Sequence, residues 1–266
     1  MPDKWGNAVS DAPILLEIDT DGIALLTFNR PAARNALNLV AMRAFAEAVE
    51  TLYHSEDEIC AVILTGAGTD AFCAGGDLVE LAGKPTPSDA LGFITVMGDA
   101  LRRLESLPVP VIAAINGYAL GGGSEIALAC DLRIVDDSAQ MGFVQMAMAL
   151  IPGWGAGQRL LRTVGYARAL DILLQARPMR PPELLSLGLA SQVAPTGQAL
   201  AAAQAYARHI AKQPPDVVRA AKRLLWAGLT QPYEVALQSE RALFPALWAA
   251  EPHLNAVAKF LNRRTS

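Results

Sequence analysis

The sequence predicts an α/β fold followed by an all-helical C-terminal region. Two observations carry that expectation. Short β-branched runs alternate with helix-length amphipathic stretches over the first half of the chain, and amphipathic stretches alone fill the last third. The 266 residues are 52% hydrophobic, ample material for a buried core. "ILLEID" and "IALLTFN" read as strands joined by the turn Thr20-Asp21-Gly22. "NLVAMRAFAEAVETLYH" places Met42, Phe45, Ala46, Val49, Leu52 and Tyr53 at helical spacing. "ICAVILTG" reads as a buried strand, "AGTDAFCAGGD" as a loop, and a mostly helical segment runs to about Ser106. "VPVIAAIN" is the next strand and leads straight into "GYALGGGSEIALACD". "LRIVD" and "AQMGF" read as further strands, and beyond Gly155 the pattern is helical to the end. The stripes of "DVVRAAKRLLWAGL" and "YEVALQSERALFPALWAAE" suit packing on a core and also an interface between copies.

Composition removes several function classes. The formal net charge is −4, whereas a nucleic-acid footprint shows as a basic domain, so no nucleic-acid partner is expected. No apolar run approaches the ~20 residues of a membrane span; Pro108, Pro110 and Asn116 interrupt the best candidate, and no membrane partner is expected. The opening "MPDKWGNAVSDAP" lacks a basic-then-apolar signal pattern. Cys60, Cys73 and Cys130 are odd in number and widely spaced, which suits reduced thiols and a cytoplasmic location. His54, His209 and His253 are scattered without ligand spacing, so no metal site is expected.

The chemistry lies in loops that follow strands. "CAGGDL" comes after one buried strand and "GYALGGGSE" after another, and ligand sites in open α/β sheets gather at such strand ends. Two glycine-rich loops can aim two backbone N–H groups at one point, the arrangement an oxyanion needs. Glu125, entering an apolar run just behind the glycines, would bring an acid to the same place. The plainer alternative is a glycine bend followed by a solvated glutamate. A dinucleotide site at "GAGTDA" is disfavoured, because that fingerprint opens directly into a helix and here more loop follows.

Four segments, "LTFNRPAARNALN", "AFCAGGDL", "INGYALGGGSEIALACD" and "IPGWGAGQRLLRTVG", resemble the enoyl-CoA hydratase/isomerase (crotonase) superfamily in order and spacing, over nearly the whole chain. The resemblance implies a crotonase-like spiral of ββα units with a helical C-terminal region that makes a homotrimer or homohexamer. Residues 1–195 would form the core with the acyl-CoA site, and residues 196–266 the oligomerisation region and CoA lid. It implies an oxyanion hole at the N–H groups of Gly76 and Gly122, holding the thioester carbonyl of an acyl-CoA. It also implies CoA contacts from Arg30, Ala36 and Leu37, and from Phe260 and Arg263 of "KFLNRR", often across subunits. Coenzyme A would enter as part of the substrate, with no separate cofactor.

Hydratases of this family use two glutamates, and Glu125 matches the first. Aligning "AQMGFVQMAMALIPG" by its ends puts Gln145 at the second. An amide cannot exchange the proton that water addition needs. Asp77 or Glu80 could substitute, although Asp77 is expected to brace its own loop. A single acid suits an isomerase, or a decarboxylase whose malonyl-type substrate brings its own carboxylate; a second glutamate would repel that carboxylate. "FVQMAMALIPGWG" and "LFPALWAAEPHLNAV" resemble ethylmalonyl/methylmalonyl-CoA decarboxylases, with Met146 and Trp154 in the acyl pocket, although Ala149 stands where a glycine is expected. Decarboxylation is therefore the leading expectation, with hydratase or isomerase activity next. A catalytically weak scaffold or moonlighting binding protein is the alternative of a different class. The acyl group itself would be chosen by the variable segment Leu81 to Asp99.

Overall fold

The computed structural model describes residues 11–263. Strands β1 (Ile14–Ile18) and β2 (Ile23–Phe28) pair antiparallel. Their turn is held by Asp19, whose Oδ1 accepts the N–H groups of Asp21 and Ile23. Helix α1 (Leu39–His54) starts at Asn38, whose side chain accepts the Ala41 N–H at 2.9 Å and satisfies one donor of the first turn. Its stripe of Met42, Phe45, Val49 and Leu52 is buried, as its spacing predicts.

Then the chain repeats one pattern. Strands β3 (Ala61–Gly66) and β4 (Ala71–Cys73) lead to helices α2 (Leu78–Leu81) and α3 (Pro87–Ser106), the latter opened by a Thr86–Asp89 capping box. Strands β5 (Val111–Ile115) and β6 (Tyr118–Leu120) lead to α4 (Gly122–Ala129). Strands β7 (Leu132–Asp136) and β8 (Gln140–Gly142) lead through a 3-10 turn at Val144–Met148 to α5 (Ala156–Val164), α6 (Tyr166–Gln175) and α7 (Pro181–Ser186). Strand β9 (Gln192–Ala194) and α8 (Ala199–Ile210) follow.

The first strand of each pair joins a six-stranded sheet, β1-β2-β3-β5-β7-β9, parallel from β2 onward. The second joins a three-stranded parallel sheet, β4-β6-β8. Both sheets advance one strand per turn of chain, which makes a spiral of ββα units. Strands β3 and β5 are buried throughout, which is why they read as unbroken apolar runs rather than alternating ones.

Three short strands correct the expected layout. β4 lies in a segment that reads as loop, β6 begins the glycine stretch, and β9 interrupts the C-terminal part expected to be helical throughout. Each has three residues, too few for a period-two pattern to show.

The chain divides into two compact units, the first ending at His209 and the second starting at Ile210. The second contains α9 (Pro215–Thr230), α10 (Tyr233–Ala249) and α11 (Glu251–Asn262), with α10 packed on both of the others. Among the described residues no helix is long and apolar enough to cross a membrane.

Candidate active site

The glycine triplet meets three separate steric demands. Gly121 has φ 55° and ψ −115°, a backbone geometry closed to residues with a Cβ. A Cβ on Gly122 would lie 2.2 Å from the Trp154 ring, and one on Gly123 would lie 1.8 Å from the Cys73 carbonyl oxygen. Helix α4 is thereby drawn against β4. Buried Ser124 locks it there: its hydroxyl lies 2.6 Å from the Ala119 carbonyl and 2.9 Å from that of Gly142, and it accepts the Gly142 N–H at 3.0 Å. At the other end of α4, the buried Arg133 guanidinium donates to the carbonyls of Ala127, Cys130 and Leu189. A cation there satisfies the last carbonyls and complements the helix dipole.

Glu125 sits in the first turn of α4 and is only 2% exposed. Four donors converge on its carboxylate. Oε2 accepts the N–H groups of Trp154 (2.7 Å) and Ala156 (3.1 Å); Oε1 accepts the Gly153 N–H (3.2 Å) and the Gln145 side-chain amide (3.0 Å). Burial raises the Glu125 carboxyl above its ordinary range, and the four hydrogen bonds pull the other way without cancelling it. Three of the four donors are backbone groups and cannot reverse direction. Only the Gln145 amide can turn and accept a hydrogen bond from protonated Glu125. Its own carbonyl oxygen is buried and has no partner among the described residues.

The other glycine loop lies alongside. A Cβ on Gly75 would be 2.9 Å from the Gly122 nitrogen, so the two loops touch at the backbone. Leu37 fixes the register of the first loop: its N–H donates to the Gly75 carbonyl and its carbonyl accepts from Asp77 N–H. Neither the Gly76 nor the Gly122 N–H donates to a protein acceptor among the described residues, and both glycines are partly exposed. Gly122 and Glu125 are three residues apart on α4, hence on one helix face. Two N–H groups with no protein acceptor among the described residues thus lie on touching loops, one of them on the helix that carries Glu125.

Arg30 donates to the Ala36 carbonyl and pairs with Asp77 at 3.0 Å. Asp77 thus braces its loop, as expected, and Glu80 accepts the Leu39 N–H at 3.4 Å; neither acid is among the groups on Glu125. The Ala36 N–H is likewise engaged, by Ala33, so what Ala36 and Leu37 leave to a ligand is carbonyl lone pairs. Met146 is 40% exposed beside Gln145, while Trp154 is buried. Residues of the Leu81–Asp99 segment, Phe93 and Val96 among them, line a cavity of about 340 Å³ with Met42 and Arg43 of α1. The structure therefore brings Arg30, Ala36, Leu37, Gly76, Gly122, Glu125, Gln145 and Trp154 into the first unit. Phe260 and Arg263 belong to the second, at the exposed end of α11. No group of three or more His, Cys, Asp or Glu side chains capable of holding a metal occurs among the described residues.

A family model described as enoyl-CoA hydratase/isomerase matches residues 19–266. The chain belongs to the enoyl-CoA hydratase/isomerase family. It is 34% identical over 242 residues to the short-chain-enoyl-CoA hydratase of Clostridium acetobutylicum, covering 91% of this chain and 92% of that one. It is equally, 34%, identical over 241 residues to the ethylmalonyl-CoA decarboxylase of Xenopus laevis, covering 90% and 80%. The solved structure of enoyl-CoA hydratase from Bacillus anthracis superposes with a TM-score of 0.88 at 34% identity, over 94% of this chain and 96% of that one. The fold is thus the crotonase fold, and the protein is an acyl-CoA enzyme of that superfamily. Equal identity to relatives named for two different reactions leaves the choice of reaction to the chemistry of the site.

Proposed function

We propose that this enoyl-CoA hydratase/isomerase family member decarboxylates a malonyl-type CoA thioester, such as methylmalonyl- or ethylmalonyl-CoA, with Glu125 as its single acid–base. The observation that carries this reading is the Gln145 amide lying 3.0 Å from Glu125, where water addition would call for a second carboxyl. The thioester oxygen would sit between the Gly76 and Gly122 N–H groups. The bond to the β-carboxylate breaks, CO2 leaves, and the electron pair passes into the thioester enolate, whose charge those two donors stabilise. Protonated Glu125 then gives its proton to the α-carbon and is reprotonated from solvent. Burial of Glu125 favours the acid form this step needs, and a neutral residue at 145 does not repel the substrate carboxylate. The apolar Met146 and Trp154 side chains favour loss of charge as neutral CO2 departs.

CoA would be held along Arg30, Ala36 and Leu37, with Phe260 and Arg263 reaching it from a neighbouring copy in a homotrimer or homohexamer. One observation favours a second reading, hydration of an enoyl-CoA. The buried Gln145 carbonyl oxygen, without a partner among the described residues, is an acceptor of the kind that could orient a water for Glu125 to deprotonate. Assays of the purified protein on methylmalonyl-CoA and crotonyl-CoA separate the two. The expected result is CO2 release with propionyl-CoA from the first and little or no hydration of the second. Brisk crotonyl-CoA hydration without CO2 release establishes the hydratase instead.

A further inference from the structure

The turn that serves Glu125 is itself held by a largely buried ion pair. The Arg159 guanidinium on α5 grips the Glu105 carboxylate on α3 with two hydrogen bonds of 2.6 and 2.7 Å, and the two side chains are only 11% and 15% exposed. A third Arg159 N–H donates to the Trp154 carbonyl at 2.7 Å. Trp154 is thus fixed from two sides, its N–H on Glu125 and its carbonyl under Arg159. Gly155 makes this possible: it has φ +99°, and a Cβ there would lie 2.7 Å from the guanidinium. Ala156 N–H, next along the chain, returns to Glu125.

We infer that Glu105 and Arg159 are a positioning pair that fixes the Gly153–Ala156 turn and, through the three N–H groups of that turn, sets the proton affinity of Glu125. Glu105 and Arg159 touch neither Glu125 nor the open N–H groups of Gly76 and Gly122. Their action passes through the backbone. Planar, bidentate Arg–carboxylate geometry is suited to this, because it fixes direction as well as distance. The inference rests on Glu125 being the acid–base of the proposed reaction. Other ionisable groups on the elements around α4 are Asp89, Asp99, Arg102 and Arg103 on α3, Arg162 on α5, Cys73 on β4, Tyr118 on β6, Cys130 and Asp131 after α4, and Arg133 on β7. None of them acts on Glu125 by charge, whose proton affinity follows from burial and its four hydrogen bonds.

The test uses the full chain carrying carbon-13-labelled glutamate. A difference infrared spectrum of wild type against Glu125→Gln isolates the Glu125 carboxyl band, which is then followed against pH. Arg159→Met and Glu105→Ala should each move its titration midpoint upward, because the turn relaxes and donors are lost. The pH limb of turnover should move in the same sense, with kcat reduced roughly tenfold to a hundredfold and KM little changed. Arg159→Lys should not rescue, since one ammonium cannot grip both Glu105 oxygens and still reach the Trp154 carbonyl. A folded Arg159→Met protein whose Glu125 titrates at the wild-type midpoint overturns the inference. Should Arg159→Met fail to fold, an unchanged midpoint in Glu105→Ala does the same. The infrared reading needs no substrate, so it stands or falls separately from the choice between decarboxylation and hydration.

Discussion

Glu125 is surrounded by donors, and that shapes the outcome of its most obvious substitution. Glu125→Gln preserves volume but sets an amide NH2 against N–H groups that cannot turn away. We expect stability to fall by about 1–3 kcal/mol, the cost of a buried donor left unmatched, and turnover by roughly 10²–10⁴-fold from loss of the titrating proton. Binding of an unreactive acyl-CoA should change little, as calorimetry would show; near-normal turnover would move the chemistry elsewhere. The pH dependence has a defined sign. Burial raises the folded-state value above the ordinary 4.5, so the folded chain binds the proton more tightly than the unfolded one. This group's contribution to stability therefore declines as pH rises from 4.5 through the raised value, and is flat above it. Turnover through the acid form declines across the same window, whereas water activation by the carboxylate would rise there. Glu125 and Gln145 were legible in the sequence because they carry side chains at recognisable places. The N–H groups of Gly153, Trp154 and Ala156 were not, since a backbone donor some thirty residues away leaves no residue-type signal.

Helix α4 is the element on which the site depends, and Ser124 ties it to both short strands beside it. Ser124→Ala removes the hydroxyl that serves the Ala119 and Gly142 carbonyls and accepts the Gly142 N–H. The Gly142 carbonyl keeps the Gly121 N–H as a donor, but the buried contacts to the Ala119 carbonyl and the Gly142 N–H are lost, so urea unfolding should show a loss of about 1–3 kcal/mol. Turnover should fall too, because Glu125 is the next residue. An unchanged midpoint would show that α4 is held by glycine contacts alone. The expected strands and helices that were found are mostly those with long runs, such as the α1 stripe and β3, although the three-residue β8 also falls in a segment that reads as strand. Those missed, β4, β6 and β9, have three residues each and owe their form to pairing partners distant in the chain. Ala149 stands where the resemblance calls for a glycine, and the structure gives the reason for that preference. It closes the 3-10 turn after Gln145 at φ 56° and ψ 34°, a left-handed geometry that costs a residue with a Cβ roughly 1 kcal/mol.

At the scale of the whole molecule, the second unit exposes large apolar side chains, among them Leu225 at 67%, Phe244 at 60% and Trp248 at 57%. That much apolar surface in so small a unit fits contact with further copies, and light scattering should give three or six times the chain mass. A stable monomer at micromolar concentration would contradict it and remove the basis for cross-subunit CoA contacts at Phe260. The spiral was legible in the sequence only through four motifs taken together, since no single motif fixes how two sheets advance in step. The identity of residue 145 bears most directly on the reaction. Gln145→Glu would set a second carboxyl against Glu125, able to take part in activating a water and bound to repel a substrate carboxylate. The decisive measurement is the ratio of methylmalonyl-CoA decarboxylation to crotonyl-CoA hydration in wild type and in Gln145→Glu, assayed side by side. The account predicts a high ratio in wild type that falls in the variant, with decarboxylation lost as hydration appears. A wild-type protein that hydrates crotonyl-CoA briskly and releases no CO2, with Gln145→Glu leaving that ratio unmoved, would contradict it.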